Sequence, residues 1–316
     1  MSTGWVAGSV RARALARRRV GAAGARDLAT CPGLAPALQV LARSPYGHAV
    51  RPNQTLAAAQ HAAGEAILWN ARVLAGWLPR SGVEAVRLLT AAFELANVDS
   101  HLAGLARGTR GTPFEPYHLG ALSTAWTRVA PTTDLPAAAA ALAASPWRVR
   151  GAASRRELAL ALRLAWADAV IAGVPEAVDW ARGGTVLLLS REVLLLRRHL
   201  PAATLSRARQ VLGAGPVDLL ARGEPPRELH AHLPRDARWV LEDVPGVTDL
   251  WRAEAAWWHR VENDGFALLR ESRPGQGAVV GALAVLGTDL WRVRAALESA
   301  ARGGSGAALE AFDAVA

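Results

Sequence analysis

The sequence predicts an all-helical protein, and three observations lead to that prediction. Ala and Leu, which form helices readily, carry most of the 51% hydrophobic content, whereas Ile, Phe and Tyr, which favour strands, are rare. Long segments place apolar residues every three or four positions, which is the period of a helix. Long segments with an acid near the middle also recur at nearly constant spacing along the 316 residues.

The first predicted helix covers residues 9–20, and Ser9 is expected to cap its amino-terminal end. Val10, Ala14 and Leu15 form its apolar stripe, which we expect to face the core. The remaining face is basic and is predicted to gather four arginines on the solvent side: Arg11, Arg13, Arg17 and Arg18.

The next helices follow from apolar periodicity and from the Pro and Gly residues that interrupt it. They are predicted at 34–43, 54–79, from Val83 to about 107, 135–144, 154–173, 175–182 and 185–200. The region 213–248 contains many Pro and Gly residues, so it is predicted to form short helices and turns. Two long helices, at about 248–272 and 277–301, end the predicted fold.

Two of the long helices carry an apolar seam with steps of three and four residues, which must face other helices. The first seam consists of Leu95, Val98, Leu102 and Leu105. The last helix carries the second, which consists of Leu283, Leu286, Leu290, Val293 and Leu297.

An acid lies near the middle of three long predicted helices, at Glu94, Glu192 and Asp289. The separations are 98 residues (192 − 94) and 97 residues (289 − 192). Such a period indicates a repeated supersecondary unit, although three helices in an all-helical chain can also fall at this spacing by chance. The predicted units are 1–115, which includes the basic helix, 116–212 and 213–316.

Composition limits the classes of partner and chemistry. A net charge of +9, carried entirely by Arg, favours a nucleic acid, an anionic membrane surface or an acidic protein, and codon bias also explains part of the Arg excess. The single cysteine, Cys31, excludes intrachain disulfides and is interpreted as a small hydrophobic residue. No apolar run reaches the ~18–20 residues that a membrane-spanning helix needs.

Catalytic motifs are weak or missing. His230 and His232 are two residues apart and therefore do not share a helix face, so they are interpreted as a loop pair rather than metal ligands. The stretch 263–271 partly matches the magnesium-binding motif of terpene synthases, but Ala267 replaces its serine and no Asp-Asp-x-x-Asp run accompanies it. A phosphate-binding loop of the Gly-x-x-x-x-Gly-Lys type is absent. We therefore expect no active site, metal or cofactor.

The twelve Trp residues raise the possibility of base stacking, particularly Trp251, Trp257 and Trp258. Trp251 and Trp258 are seven residues apart on one helix face, a spacing more typical of a core or an interface. A basic helical scaffold that binds nucleic acid nevertheless stays an alternative.

Several motifs, in order, resemble the C subunit of V/A-type rotary ATPases, which corresponds to subunit d of eukaryotes. Residues 7–13 are similar to the family's first helix, and residues 44–47, Ser-Pro-Tyr-Gly, resemble its Thr-Pro-Tyr-Gly. Glu94, Leu95 and Asn97, followed by Arg107, Arg110, Pro113 and Phe114, resemble the family's first repeat helix.

The second and third repeats match the family less fully. In the second only Glu192 is kept, and Leu194 and Arg197 stand where Asp and Asn are usual. In the third, Asp289, Val293 and Arg294 match, whereas Leu286 and Gly287 replace the usual Lys-Glu. The positive net charge also departs from the balanced surface expected of the family.

The resemblance implies a funnel of three similar helical subdomains with pseudo-threefold symmetry, on the cytoplasmic face of the membrane rotor ring. Its implied partners are the central-stalk subunits D and F and the proteolipid subunits of the ring. The implied function is a non-catalytic adaptor that couples stalk and ring during ATP-driven ion transport or ATP synthesis. Partner contacts are expected among the basic helix and the repeat motifs: Arg11, Arg13, Arg17, Arg18, Glu94, Asn97, Glu192, Asp289 and Arg294.

Overall fold

The computed structural model describes residues 3–108 and 115–304. Across these residues the regular secondary structure is helical and no strand is present, so the all-helical prediction is confirmed. In chain order the α-helices are α1 (Thr3–Ala16), α2 (Gly21–Ala29), α3 (Leu34–Leu41), α4 (Leu56–Ala75), α5 (Arg80–Ala106), α6 (Trp126–Val129), α7 (Leu135–Ala143), α8 (Arg155–Gly173), α9 (Val178–Ser190), α10 (Ala202–Leu212), α11 (Ala214–Ala221), α12 (Pro226–His232), α13 (Arg235–Arg238), α14 (Leu250–Arg270) and α15 (Gln276–Ala301).

The chain divides into two compact units. One consists of Met1–Val86 together with Trp258–Ala316, and the other of Arg87–Trp257. The first unit therefore combines the two ends of the sequence, and the boundaries fall within α5 and α14. The division into repeats at 1–115, 116–212 and 213–316 stays a prediction.

Helix α15 lies at the centre of the first unit, where it contacts α1, α2, α3 and α4. Its predicted seam is confirmed, because all five seam residues are buried and Val293 and Leu297 are fully inaccessible. Helices α14 and α15 approach closely where Gly265 meets Gly281. A Cβ atom added to Gly281 would lie only 2.5 Å from the carbonyl oxygen of Gly265, so this crossing requires a residue without a side chain.

The second unit has two apolar clusters. The first is built from α5, α6, α7 and α8, and it buries Leu95, Val98 and Leu102 of the other predicted seam. The second joins α8 and α9 to the short helices that follow, as predicted for the Pro- and Gly-rich region 213–248. Helix α8 begins at a capping box formed by Ser154 and Glu157, which satisfies backbone N–H groups at its amino-terminal end.

Sequence predictions about several helix ends are wrong. The first helix was predicted to reach residue 20, but α1 ends at Ala16, so Arg17 and Arg18 lie in the turn after it. Helix α1 begins at Thr3, so Ser9 lies inside it, and the Ser9 hydroxyl accepts a hydrogen bond from the backbone N–H of Gly275 (3.0 Å) instead of capping a helix. The predictions at 175–182 and 185–200 are also wrong: α9 runs without a break from Val178 to Ser190, and a π-helical turn then covers Arg191–Leu195. Arg197, at φ 53°, then adopts the left-handed conformation that ends helices.

None of the helices in the described ranges is long and apolar enough to cross a membrane.

Candidate functional site

Asp289, in the middle of α15, holds the amino-terminal end of α2 and the turn after α3. Its Oδ1 atom accepts the backbone N–H of Gly21 (2.7 Å), and its Oδ2 atom accepts the N–H of Val20 (3.1 Å). Oδ2 also accepts the hydroxyl of Tyr46 at 2.8 Å. Both Asp289 and Tyr46 are 1% exposed. This carboxylate therefore supplies acceptors for backbone groups that the start of a helix leaves unpaired.

Burial shifts the pKa of both side chains. Desolvation raises the pKa of Asp289 above its ordinary value, and the hydrogen bonds from Gly21, Val20 and Tyr46 oppose that shift. Desolvation, followed by the nearby charge of Asp289, raises the pKa of the Tyr46 phenol. Tyr46 therefore stays protonated and donates to the carboxylate at ordinary pH.

Glu94, in the middle of α5, has an equivalent role in the second unit. We call each of these buried acids, together with the hydrogen-bond donors around it, a cage. Its Oε1 atom accepts the backbone N–H groups of Thr124, Ala125 and Trp126 at 2.7–2.8 Å, and also the hydroxyl of Ser123. Its Oε2 atom accepts the indole N–H of Trp147 at 3.0 Å. The side chain is 1% exposed, so the carboxylate is stabilised by five donors rather than by water.

The two cages share a short sequence that our sequence analysis missed. Residues 41–46 read Leu-Ala-Arg-Ser-Pro-Tyr, and residues 142–147 read Leu-Ala-Ala-Ser-Pro-Trp, 101 positions later (142 − 41). In both, the serine hydroxyl donates to the leucine carbonyl at 2.7 Å and accepts the aromatic residue's backbone N–H at 3.2 Å. The aromatic side chain then donates to the acid of a long helix. From this repeated hexapeptide, the sequence could have indicated that each aromatic residue pairs with an acid of a long helix.

Asn97 lies one turn after Glu94 and also binds backbone. Its amide nitrogen donates to the carbonyl of Tyr117 (2.9 Å), and its amide oxygen accepts the N–H of Tyr117 (2.8 Å). The ring of Phe93 packs edge-on against the ring of Tyr117. Glu94 and Asn97 are thus brought together by α5, and both bind backbone groups within residues 117–126.

Glu192 differs from the other two predicted repeat acids. It lies in the π-helical turn after α9, where its Oε2 atom accepts Arg156 Nε at 2.8 Å and Arg198 approaches within 3.8 Å. It is therefore part of an ion pair and does not hold the start of another helix. Arg294, in α15, donates its Nε–H to the carbonyl of Gln60 at 3.4 Å.

The four arginines of the predicted basic helix do not share one environment, and only Arg11 and Arg13 lie in α1. Arg13 does not lie on the solvent side as predicted, because its guanidinium donates to the backbone carbonyls of Leu269 and Glu271 at the end of α14. Those carbonyls lack helical partners and attract a cation. Arg17 and Arg18 are exposed, and the Arg11 guanidinium lies 4.5 Å above the Trp77 ring.

The tryptophans that suggested base stacking take part in packing. Trp257 donates its indole N–H to the carbonyl of Trp180 (2.9 Å), and Trp258 stacks on Trp291 with ring centroids 5.5 Å apart. Trp251 is 43% exposed. The three side chains therefore do not form one shared stacking face.

The residues considered for metal binding are separated or already occupied. Within residues 3–108 and 115–304, no three His, Cys, Asp or Glu side chains are grouped as metal ligands would be. Asp264, the acid of the partial terpene-synthase motif, accepts Arg260 Nε at 2.8 Å. The Cys31 thiol has its pKa raised by burial and by Asp27, so it is not an activated thiolate.

In comparison with known proteins, neither a protein-family model nor a curated sequence matches this chain. The family resemblance therefore depends on the motif residues themselves. Their geometry is informative, because Tyr46, Glu94, Asn97 and Asp289 all form buried polar contacts that hold loops to long helices.

Proposed function

We propose that this chain is the non-catalytic adaptor between the central stalk and the membrane rotor ring of a V/A-type rotary ATPase. One observation carries the proposal: four of the residues through which the sequence resembles that family form the buried polar contacts that hold loops to long helices. Tyr46 of the Ser-Pro-Tyr-Gly motif binds Asp289 of the third repeat motif, and Glu94 and Asn97 of the first repeat motif bind residues 117–147.

The cages suit a part that transmits torque. A buried polar network whose donors and acceptors are all satisfied specifies one arrangement of the surrounding elements, because any distortion leaves polar groups unpaired at low dielectric. Glu94 holds three consecutive backbone N–H groups, and Asp289 holds two. Loops fixed in this way resist local opening, which an adaptor under load requires.

In the proposed assembly the chain forms a funnel of three similar subdomains with pseudo-threefold symmetry on the cytoplasmic face of the ring. The funnel receives subunits D and F and rests on the proteolipid subunits. ATP is hydrolysed or synthesised by other subunits, and this chain has no active site of its own. The net charge of +9 favours acidic surfaces on the neighbouring subunits.

A binding experiment with the purified chain tests the proposal. We expect the chain to capture a complex of subunits D and F from the same genome at low salt and to show no ATPase activity by itself. An Asn97→Leu variant removes the amide that binds Tyr117 and should weaken capture by disordering that loop. Failure of the parent chain to capture the stalk complex at low salt would refute the adaptor function.

The same preparation discriminates the nucleic-acid alternative. A basic scaffold would shift generic duplex DNA with an affinity that falls steeply as salt increases, because phosphate neutralisation releases counterions. We expect capture of the stalk complex to persist in the presence of excess duplex DNA. Loss of capture, with a strong DNA shift, would replace the adaptor by a nucleic-acid-binding protein.

A further inference from the structure

We propose that the outer face of α1, together with Trp77, is a docking surface for an acidic amphipathic helix of a partner protein. We call it the α1 surface and define it by Val6, Val10, Arg11 and Ala14 of α1, by Arg18 in the turn after α1, and by Trp77. The inference does not depend on the rotary assembly, because it follows from the chemistry of the surface alone.

The opposite face of α1 is already used for packing. Gly4 and Gly8 allow the helix to approach the turn at residues 77–79, where a Cβ atom on Gly8 would lie 2.3 Å from a methyl group of Leu78. Ser9 and Arg13 are hydrogen-bonded to backbone between residues 269 and 275. These contacts fix which side of α1 faces outward. Of the apolar stripe that was expected to face the core, only Leu15 is buried, and the expectation is wrong for Val10 and Ala14, which are exposed.

The outward side exposes apolar groups that a monomer would ordinarily bury. Val10 is 64% exposed, Val6 is 45% exposed and Trp77 is 49% exposed. A shallow groove of about 430 Å³ lies between α1 and the Trp77 ring, and its apolar lining includes Ala7, Val10, Ala14 and Trp77. Exposed apolar area of this kind, bordered by charge, is typical of a protein-interaction site.

The spacing within the groove matches a helix as the occupant. Ala7, Val10 and Ala14 are separated by three and four residues, which are the a and d positions of a coiled-coil seam. Arg11 lies beside this seam at an e position, and Arg18, which follows the end of α1 at Ala16, lines the same groove. A partner helix that lies along the seam would present a g position to Arg11, and acids along that side of the partner would pair with both arginines.

The charge of the surface selects an acidic partner. No ion pair involves Arg11, Arg17 or Arg18 in the described part of the chain, and no acid lines the groove. The central carbon of the Arg11 guanidinium lies 4.5 Å from the centroid of the Trp77 ring, so the cation and the aromatic ring are in contact on this surface. The groove is concave and its α1 side carries small residues, which leaves room for the side chains of a partner helix. Binding to a lipid bilayer would instead require bulky apolar side chains that project outward and insert into it.

A synthetic helix with Leu at a and d and Glu at e and g tests the proposal, and the same peptide with Lys at e and g is its control. In fluorescence anisotropy at low salt, we expect the full chain to bind the Glu peptide and not to bind the Lys peptide. Replacing both Arg11→Glu and Arg18→Glu should weaken Glu-peptide binding at least about tenfold and create binding of the Lys peptide. The matched control, Arg43→Glu with Arg235→Glu, makes the same charge change at exposed positions elsewhere and should leave binding unaltered.

A second variant keeps the test valid if charge reversal unfolds α1. Val10→Asn removes an exposed methyl pair from the seam and should weaken Glu-peptide binding while the far-UV circular dichroism spectrum is unchanged. The proposal is overturned if neither peptide binds at low salt, if both bind equally, or if the chain binds vesicles containing phosphatidylglycerol but not the Glu peptide. The last outcome would assign the surface to a membrane.

Discussion

Replacing Glu94 by Gln changes one buried atom from an acceptor to a donor while the shape of the side chain is kept. The amide oxygen must stay with Thr124, Ala125 and Trp126, because their three N–H groups converge on one position. The amide nitrogen then faces the indole N–H of Trp147, which is the donor that Oε2 now accepts.

The magnitude follows from the groups left unpaired. A buried donor without an acceptor costs about 1–3 kcal/mol, and the bonds to Oε1 weaken because they are no longer bonds to a charged group. Removing a charge from a site that is 1% exposed recovers part of this loss. We therefore expect Glu94→Gln to lower the free energy of unfolding of the second unit by about 3 kcal/mol.

A double-mutant cycle isolates the contact between Glu94 and Trp147. Trp147→Phe costs the indole hydrogen bond and some packing in the parent chain. In the Glu94→Gln background it removes a donor that already lacks an acceptor, so its cost there is smaller. The two effects should fall short of additivity by about 2 kcal/mol, and the packing loss cancels in the cycle.

Urea denaturation followed by far-UV circular dichroism measures the four free energies, and hydrogen exchange locates the loss. We expect faster exchange of the Thr124, Ala125 and Trp126 amides. Glu84→Gln, at an exposed position of the same helix, should change stability by less than about 0.5 kcal/mol. Additive effects in the cycle, or unchanged exchange at residues 124–126, would refute the reasoning that Glu94 holds this loop.

Two further predictions concern the first unit. Gly281→Ala should destabilise it by about 1–3 kcal/mol, because the new Cβ atom meets the Gly265 carbonyl oxygen. At Gly287, in the same helix, there is space for a Cβ atom, so Gly287→Ala should stabilise the unit by up to about 1 kcal/mol. Equal effects of the two substitutions in urea denaturation would contradict the close crossing. Because the folded pKa of Asp289 lies above its ordinary value, its contribution to stability is largest at low pH and declines as pH rises through the folded pKa. The stability difference between the parent and Asp289→Asn should therefore shrink as pH rises in urea titrations at several pH values, and a difference that grows with pH would reverse the assigned sign.

Much of the helical framework could be predicted because it is encoded locally. The apolar seams of α5 and α15 repeat every three and four residues, and this period is that of one face of a helix. The ends were less predictable where a side chain found a distant partner, as Ser9 did at Gly275. The π-helical turn at Glu192 was missed for a similar reason, because its residues are as apolar as those of a regular helix.

The candidate site was only partly accessible from sequence. Glu94 and Asp289 were singled out by their spacing and Asn97 by the family resemblance, yet nothing local showed that they bind Trp147, Tyr46 or Tyr117. Those partners lie between 20 and 243 residues away along the chain. Such contacts depend on the path of the chain in three dimensions, and a repeated Ser-Pro-aromatic hexapeptide was their only trace in the sequence.

The sequence by itself determined that this chain is helical, rich in arginine and provided with acids at the centres of long helices, because periodicity and composition are properties of neighbouring residues. Tertiary structure decided what those features do. It packed α1, α2, α3 and α4 around α15, turned Arg13 inward to the end of α14, and left Val10 and Trp77 exposed. Which face of a helix is buried depends on what packs against it, and that is fixed only when the distant segments meet.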